Sequence, residues 1–205
     1  MLYKIAYILV WPIFKIFYRI RFVGKENLPG EGPVLIVSNH ASYVDPICLG
    51  LAFPKRQIHF MAKDDLFRMP MLKQLLPRVN AFPVKRESSD RKALKEALKR
   101  LKAGEVVAIF PEGTRIKEDE LGAGQMGSAL IALKSGAVVL PAAVIGSNKV
   151  IKGVLPRFPQ ITVAFGRPFK VEEDEKDKKV IMEEATVMMM RSIDSLIVKE
   201  EGSRG

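Results

Sequence analysis

The chain is predicted to form an α/β fold with a largely parallel or mixed central sheet flanked by helices, after an N-terminal amphipathic helical segment. Two observations predict it. Short apolar runs rich in β-branched residues alternate with helical patterns along the chain, which is typical of strands joined by crossover helices. The 205 residues are 48% hydrophobic and 27% charged, enough apolar surface for one core and too much for disorder. We divide the chain into residues 1–22 and one domain at 23–205.

Each element follows from its local pattern. The predicted strands are 34–37, 57–62, 79–84, 106–110, 137–145 and 161–165. The predicted helices are 46–52, 65–76 with a break at Pro70, one between Asp90 and Gly104, 128–134, and 174–198. Pro83 cannot donate to a sheet ladder, so 79–84 is expected to be an edge or irregular strand. Gly104 and Gly136 are expected to end the helices before them.

The first 22 residues are predicted to form an interfacial helical membrane anchor. Their longest uncharged run, 5–14, is ten residues, whereas a membrane-spanning helix needs about 20, and Pro12 should kink or split the segment. On a helical wheel Lys4, Trp11 and Lys15 lie on one side, opposite a broad apolar face. A helix lying in a membrane interface has this pattern, with Trp and Tyr at headgroup depth. Packing of this helix on the protein's own core is the alternative.

A strand-to-helix turn carries one of the two histidines. His40 follows the apolar run 34–37, and Asp45 precedes Pro46, which suits an N-cap followed by the first helical residue. Two interpretations remain open. Asp45 accepts the Nδ1–H of His40, which leaves Nε2 as a general base near neutral pH; or Asp45 only caps its helix and His40 is an ordinary turn residue.

A second turn, residues 111–115, follows the strand 106–110 and has the sequence Pro-Glu-Gly-Thr-Arg. Ligand sites in such sheets gather beyond the C-terminal ends of the strands. We therefore expect His40 and this turn at the same edge of the sheet.

The net charge and its distribution limit the classes of partner that the protein can be expected to bind. The net charge is +10, and residues 1–21 carry four basic residues and no acidic one, while 85–102 carry eight basic residues against three acidic ones. Such surfaces attract nucleic acids, anionic membranes or phosphorylated substrates. The apolar, Trp-bearing N-terminus favours lipid, so no nucleic-acid partner is expected.

Neither a disulfide nor a metal site is expected, because the chain has one cysteine and two histidines. Cys48 is interpreted as a buried thiol in an apolar helix. His59 is interpreted as a strand-face residue, since no acidic partner is placed as Asp45 is for His40. The glycines of 122–127 are interpreted as small residues leading into the helix 128–134.

Asn39-His40 with Asp45, followed about seventy residues later by 110–115, resembles the 1-acyl-sn-glycerol-3-phosphate acyltransferase family of glycerolipid acyltransferases with the HxxxxD motif. Residues 80–86 and 139–144 are similar to two further motifs, although Asn80 stands where glycine is usual. The resemblance covers roughly residues 23–168.

The resemblance implies a catalytic role for two residues. His40, held by Asp45, would take the proton of a glycerol hydroxyl as it attacks an acyl thioester, with no covalent acyl-enzyme. The co-substrate would be acyl-CoA or acyl carrier protein, and no cofactor and no metal would be needed.

It also implies a set of substrate-binding residues. Arg115 and Arg86 match motif positions that bind the acceptor's phosphate, with Lys85 a weaker addition. Glu112 would orient the glycerol hydroxyl or Arg115, and Gly113 would let the acceptor approach the backbone. The set is completed by Thr114.

The implied activity is acylation of lysophosphatidic acid to phosphatidic acid by a monotopic protein on the cytoplasmic face of an anionic membrane. Another acceptor, glycerol 3-phosphate or a different lysophospholipid, is the alternative within the class. A non-catalytic basic module that binds membranes or nucleic acid is the alternative from another class.

Overall fold

The structure is a computed structural model that describes residues 2–84, 91–115, 121–152, 155–175 and 177–203. The helices are α1 (Leu2–Ile16), α2 (Asp45–Ala52), α3 (Pro70–Arg78), α4 (Arg91–Lys102), α5 (Gly127–Ser135) and α6 (Lys178–Gly202). The strands are β1 (Arg21–Val23), β2 (Val34–Ser38), β3 (Ile58–Lys63), β4 (Ala81–Val84), β5 (Val106–Ile109), β6 (Val138–Ile145), β7 (Ile151–Lys152), β8 (Leu155–Pro156) and β9 (Thr162–Phe165).

Seven strands form one sheet in the order β1-β9-β6-β2-β5-β3-β4. Only β6 and β9 run antiparallel to each other, and the other neighbours are parallel. The predicted α/β fold with a largely parallel or mixed sheet is confirmed. β4, which contains Pro83, is an edge strand, as its proline requires.

Helices cover both faces of the sheet, so successive residues of β2 enter different cores. Val34 and Ile36 pack with residues of α1 and α2. Leu35 and Val37 pack with residues of α4, α5 and α6. All of β2 is buried, which explains why it is a continuous apolar run rather than an alternating one.

The N-terminal segment both packs on the core and leaves apolar residues in solvent. Phe14 is buried, and Tyr7, Val10 and Trp11 pack against the core. Trp11 stacks on Tyr7 and on Phe22, with ring centroids 5.8 Å apart in each pair. Both rings help to attach α1 to the domain, and the expectation that Trp and Tyr lie at headgroup depth stays a prediction.

The opposite side of this helix is what we call the outer face of α1. It consists of the exposed side chains of Ile8, Leu9, Ile13 and Ile16. α1 continues through Pro12 to Ile16, and β1 then joins the sheet beside β9, so β1 crosses the proposed division at residue 22. Within the described chain, no helix is both long enough and apolar enough to span a membrane.

The remaining differences from the predicted elements are local. β1, β7 and β8 were not predicted, because two or three residues carry no readable periodicity. Pro70 begins α3 rather than breaking a longer helix. α6 begins after Asp177, whose side chain accepts the Lys179 N–H at 2.7 Å. The sequence also predicts Ser89 and Asp90 as the cap of the helix before Gly104, and these two residues lie outside the described ones.

Candidate active site

The site begins where β2 ends, with a side chain that joins two strands. The Asn39 side-chain amide donates to the Val144 carbonyl at 3.0 Å, and its oxygen accepts the Val144 N–H at 2.8 Å. This pair of bonds replaces a ladder contact between the end of β2 and the end of β6. It fixes the direction in which the chain leaves the sheet at His40.

His40 and Asp45 are in contact across the following turn. His40 Nδ1 lies 2.9 Å from Asp45 Oδ2, and the same oxygen accepts the N–H groups of Ala41 and Ser42 at 2.8 Å each. Asp45 is completely buried. Because a carboxylate can only accept, Nδ1 carries the ring hydrogen and Nε2 is the nitrogen left for chemistry.

Asp45 is the first residue of α2 and not its cap. The residue at the N-cap position is Val44, and no side chain caps the helix. The predicted N-cap is therefore wrong, and the physical reason is that Asp45 Oδ2 turns back to the loop. Its Oδ1 is buried and has no hydrogen-bond partner among the residues that the structure describes.

The turn after β5 supplies a second buried carboxylate. Glu112 Oε1 accepts the His40 backbone N–H at 3.1 Å, which couples the two motifs through the main chain. Burial raises the pKa of Glu112, the N–H groups of His40 and Gly122 lower it, and the Asp45 charge raises it further. No ion pair of the described residues joins Glu112 to Arg115, so Glu112 is positioned to hold the His40 turn. Its role toward the hydroxyl or Arg115 stays a prediction.

Two aromatic rings complete the surroundings of the histidine. The His40 ring stacks on Phe110, with centroids 4.0 Å apart and planes 15° apart. The Arg115 guanidinium carbon lies 3.5 Å from the centroid of the Tyr43 ring. Tyr43 belongs to the turn between His40 and Asp45, so the turn that holds the histidine also presents a platform for Arg115.

Gly113 makes the second turn possible. Its φ is 68°, and its N–H donates to the Phe110 carbonyl at 3.0 Å. A Cβ at this position would lie 2.5 Å from the Gln125 side chain. Thr114 is exposed on the same turn, whereas Lys85 and Arg86 lie outside the described residues.

The structure therefore brings the predicted groups of two motifs to one place, the ends of β2 and β5, which we call the site edge of the sheet. Asn39, Tyr43 and Phe110 lie within or beside the two motifs, but the sequence analysis assigns none of them a role. The signal for Asn39 was its position directly after a buried strand. Asn80 adopts φ 63°, as expected for a residue that replaces glycine in a turn.

Cys48, the one cysteine of the chain and so the alternative candidate for a nucleophile, is buried. The Cys48 side chain is inaccessible, and burial raises its thiol pKa, with the Asp45 charge adding to the effect. A buried thiol in apolar surroundings is held in its unreactive form.

The reason given for interpreting His59 as a strand-face residue, the lack of an acidic partner, is wrong. His59 has an acidic partner after all, since its Nε2 lies 3.1 Å from Glu105 Oε2, and Arg100 Nη1 also contacts the ring. Burial lowers the pKa of His59, and the Arg100 charge lowers it further. Glu105 precedes β5, so this cluster lies at the edge opposite the site edge.

Comparison with known proteins identifies the family. Residues 19–145 match the family named Acyltransferase. The chain belongs to this family. Among its relatives, the 1-acyl-sn-glycerol-3-phosphate acyltransferase of Bacillus subtilis is 39% identical over 129 residues, which is 63% of this chain and 64% of that protein. The chloroplastic enzyme of the same name from Arabidopsis thaliana is 35% identical over 141 residues, 66% of this chain and 38% of that protein.

A solved structure from this acyltransferase family agrees with the fold. The crystal structure of the 1-acyl-sn-glycerophosphate acyltransferase PlsC from Thermotoga maritima matches with a TM-score of 0.68 at 25% identity, covering 94% of this chain and 82% of that chain. The seven-stranded sheet is thus that of the family. The chain spans less than two thirds of the length of the two curated relatives, 64% and 38%.

Asp45→Ala is expected to lower the free energy of unfolding by about 2–4 kcal/mol, because the hydrogen-bond donors that share its carboxylate lose their acceptor. Urea denaturation followed by far-UV circular dichroism measures this. His40→Ala is the matched control, since it removes one of those donors and leaves Asp45 two. Equal unfolding midpoints for the two variants would contradict a central role of the carboxylate in the turn.

Proposed function

We propose that this protein transfers an acyl group from a thioester to the sn-2 hydroxyl of 1-acyl-glycerol-3-phosphate, giving phosphatidic acid. The observation that carries the proposal is the buried His40–Asp45 pair, 2.9 Å apart, beside the turn that bears Arg115. Its family membership supports the reaction class, and the printed names of its relatives support the acceptor.

In the proposed reaction His40 is the general base. Its Nε2 takes the proton of the acceptor hydroxyl as that oxygen attacks the thioester carbonyl carbon. The carbon–sulfur bond then breaks, and the thiolate leaves with the proton that His40 received. Asp45 stabilises the imidazolium formed in between, while Phe110 fixes the plane of the ring.

Arg115 is the proposed phosphate ligand at the described part of the site. The Arg115 guanidinium lies over the Tyr43 ring, and its N–H groups match the geometry of a phosphate. Thr114 and Gly113, on the same turn, are proposed to contact the acceptor. Lys85 and Arg86 remain proposed phosphate ligands from sequence alone.

The proposed donor is acyl-CoA or acyl carrier protein, and no further cofactor enters the scheme. A thioester is already activated, so direct transfer needs only a base, a fixed acceptor and a departing thiol. The buried Cys48 is not part of this scheme.

We further propose that the protein is monotopic and binds the cytoplasmic face of an anionic membrane through the outer face of α1. These apolar side chains are solvent-exposed, with Leu9 at 63% and Ile16 at 68% of their full accessibility. Lys15 and Arg19 are exposed beside them, which suits contact with anionic headgroups. Both the acceptor and the product proposed here are membrane lipids.

His40→Ala is expected to lower kcat for acyl transfer by about 10²–10⁴-fold, which is the usual contribution of general base catalysis. The measurement is transfer from a labelled acyl thioester to lysophosphatidic acid. His59→Gln is the control, because this histidine lies at the opposite edge of the sheet and should retain activity. A folded His40→Ala protein with wild-type kcat would refute the assigned base.

Arg115→Ala is expected to raise KM for the phosphate-bearing acceptor by roughly tenfold to a hundredfold, the cost of a charge-assisted pair of hydrogen bonds. The KM for the acyl donor should change little. Steady-state kinetics with each substrate varied in turn separates the two. Tyr43→Phe retains the stacking ring and serves as the control; equal increases in both KM values would count against the phosphate assignment.

The double variant Leu9→Gln, Ile13→Gln is expected to weaken binding to anionic vesicles by at least about tenfold, because two exposed apolar side chains are lost from the contact. Vesicle sedimentation measures it. The control is Val187→Gln, Met188→Gln on α6, whose side chains are about as exposed as Ile13. Equal binding by both double variants would remove the outer face of α1 from the membrane contact.

A further inference from the structure

A single exposed phenylalanine lies on the loop that precedes β9. Phe158 is 52% exposed, and its ring packs against Phe17 and Tyr18, with centroids 5.3 and 5.5 Å away. The main chain ties the same two segments together, since Ile161 N–H donates to the Tyr18 carbonyl at 3.0 Å. Phe158 therefore extends the outer face of α1 from a different part of the chain.

The sheet topology puts this loop at the site edge. β9 runs antiparallel to β6, so Thr162 at its start pairs with Ile145 at the end of β6. Thr162 also pairs with Arg21, which brings the segment after α1 to this edge. β9 is two strands from β2, roughly 10 Å at the usual strand spacing. The base His40 and the ring of Phe158 thus lie beyond the same ends of the sheet.

Charge indicates what this surface contacts. Residues 146–170 carry five basic residues, Lys149, Lys152, Arg157, Arg167 and Lys170, and no Asp or Glu. Arg157 precedes Phe158 in the chain and Arg19 follows Tyr18, whose ring contacts Phe158, and both arginines are exposed. An aromatic ring flanked by cations suits the interface of an anionic bilayer, where the ring enters the acyl boundary and the cations meet phosphates. A second copy of this chain would bring like charges together.

Tyr43 and Ile47 strengthen the argument from another segment at the site edge. Both are exposed, at 63% and 42%, and both belong to the turn and first helical turn that follow β2. Exposed side chains with apolar surface thus occur at this edge both in the loop before β9 and in the segment after β2.

We propose that Phe158, with the loop 157–160, is a second membrane-contact element that, together with the outer face of α1, docks the site edge of the sheet onto an anionic bilayer. The inference rests on the proposed function, because it assumes that His40 acts on an acceptor that stays in the bilayer, which docking of the site edge would bring close to it. Beyond contact through α1 alone, the proposal specifies that the site edge faces the bilayer and that Phe158 contacts it.

The direct test uses a dye at position 158. The one native cysteine, Cys48, is buried, so a thiol-reactive, environment-sensitive fluorophore on Phe158→Cys labels the loop selectively. Vesicles of phosphatidylglycerol should give a blue shift and at least about a twofold increase in emission, and phosphatidylcholine vesicles much less. The matched control is the dye on Val187→Cys, a similarly exposed residue at 47% on α6, where no shift is expected.

Two results would overturn the proposal. One is an equal response at positions 158 and 187. The other is a shift at 158 that grows with protein concentration in the absence of vesicles, which would make this surface a contact between copies of the chain.

Kinetics separate this inference from the proposed reaction. Phe158→Ala should reduce turnover of vesicle-embedded lysophosphatidic acid by roughly tenfold, with turnover of a dispersed short-chain acceptor unchanged. Arg157→Glu should act in the same direction and lose its effect at high salt. Equal losses on both acceptors would overturn the docking role. If the wild-type protein turns over neither acceptor while the dye on Phe158→Cys still shifts with anionic vesicles, the reaction is refuted and docking is supported.

Discussion

One buried oxygen organises the site. Asp45 Oδ2 accepts hydrogen bonds from His40 Nδ1 and from the N–H groups of Ala41 and Ser42. The Asp45 carboxylate has no solvent exposure, so these donors replace the water that would otherwise solvate it. These three contacts hold the turn around the carboxylate. A histidine held in this way points Nε2 away from the acid, so folding of the turn and orientation of the proposed base are a single event.

The sheet then determines what this histidine faces. β2 and β5 are adjacent and in register, with Val37 opposite Ile109, so the segments after them emerge together although some seventy residues separate them. Glu112 accepts the His40 N–H, and Asn39 holds the end of β6. Three strands are thereby tied to one turn, and the site depends on their relative positions rather than on any one loop. The raised pKa of Glu112 shows that its burial outweighs the two N–H groups it accepts.

Sequence reasoning predicted the features of the structure that can be read from hydrophobic periodicity and from the spacing of motifs. The sheet class, the edge position of Pro83 and the meeting of His40 with the 111–115 turn follow from strand patterns and from where parallel strands end.

Sequence reasoning failed where the contact partner of a side chain is decided by the three-dimensional structure. Asp45 before Pro46 favours a cap, but three donors from the loop take its oxygen instead. Sequence position also did not show that Phe22 lies close enough to stack on Trp11. His59 meets Glu105 only because neighbouring strands bring their starting ends together.

Packing on the protein and contact with a membrane were opposed as alternatives for the N-terminal segment, and the structure makes them compatible. α1 uses Tyr7, Val10, Trp11 and Phe14 to attach to the sheet and leaves its outer face in solvent. A helix fixed in this way has a defined orientation, so any surface that binds its outer face also orients the sheet behind it. Because α1 leads into β1 at the site edge, that orientation extends to His40. Because α1 is attached to the core, binding of its outer face to a surface would orient the site as well as anchor the protein.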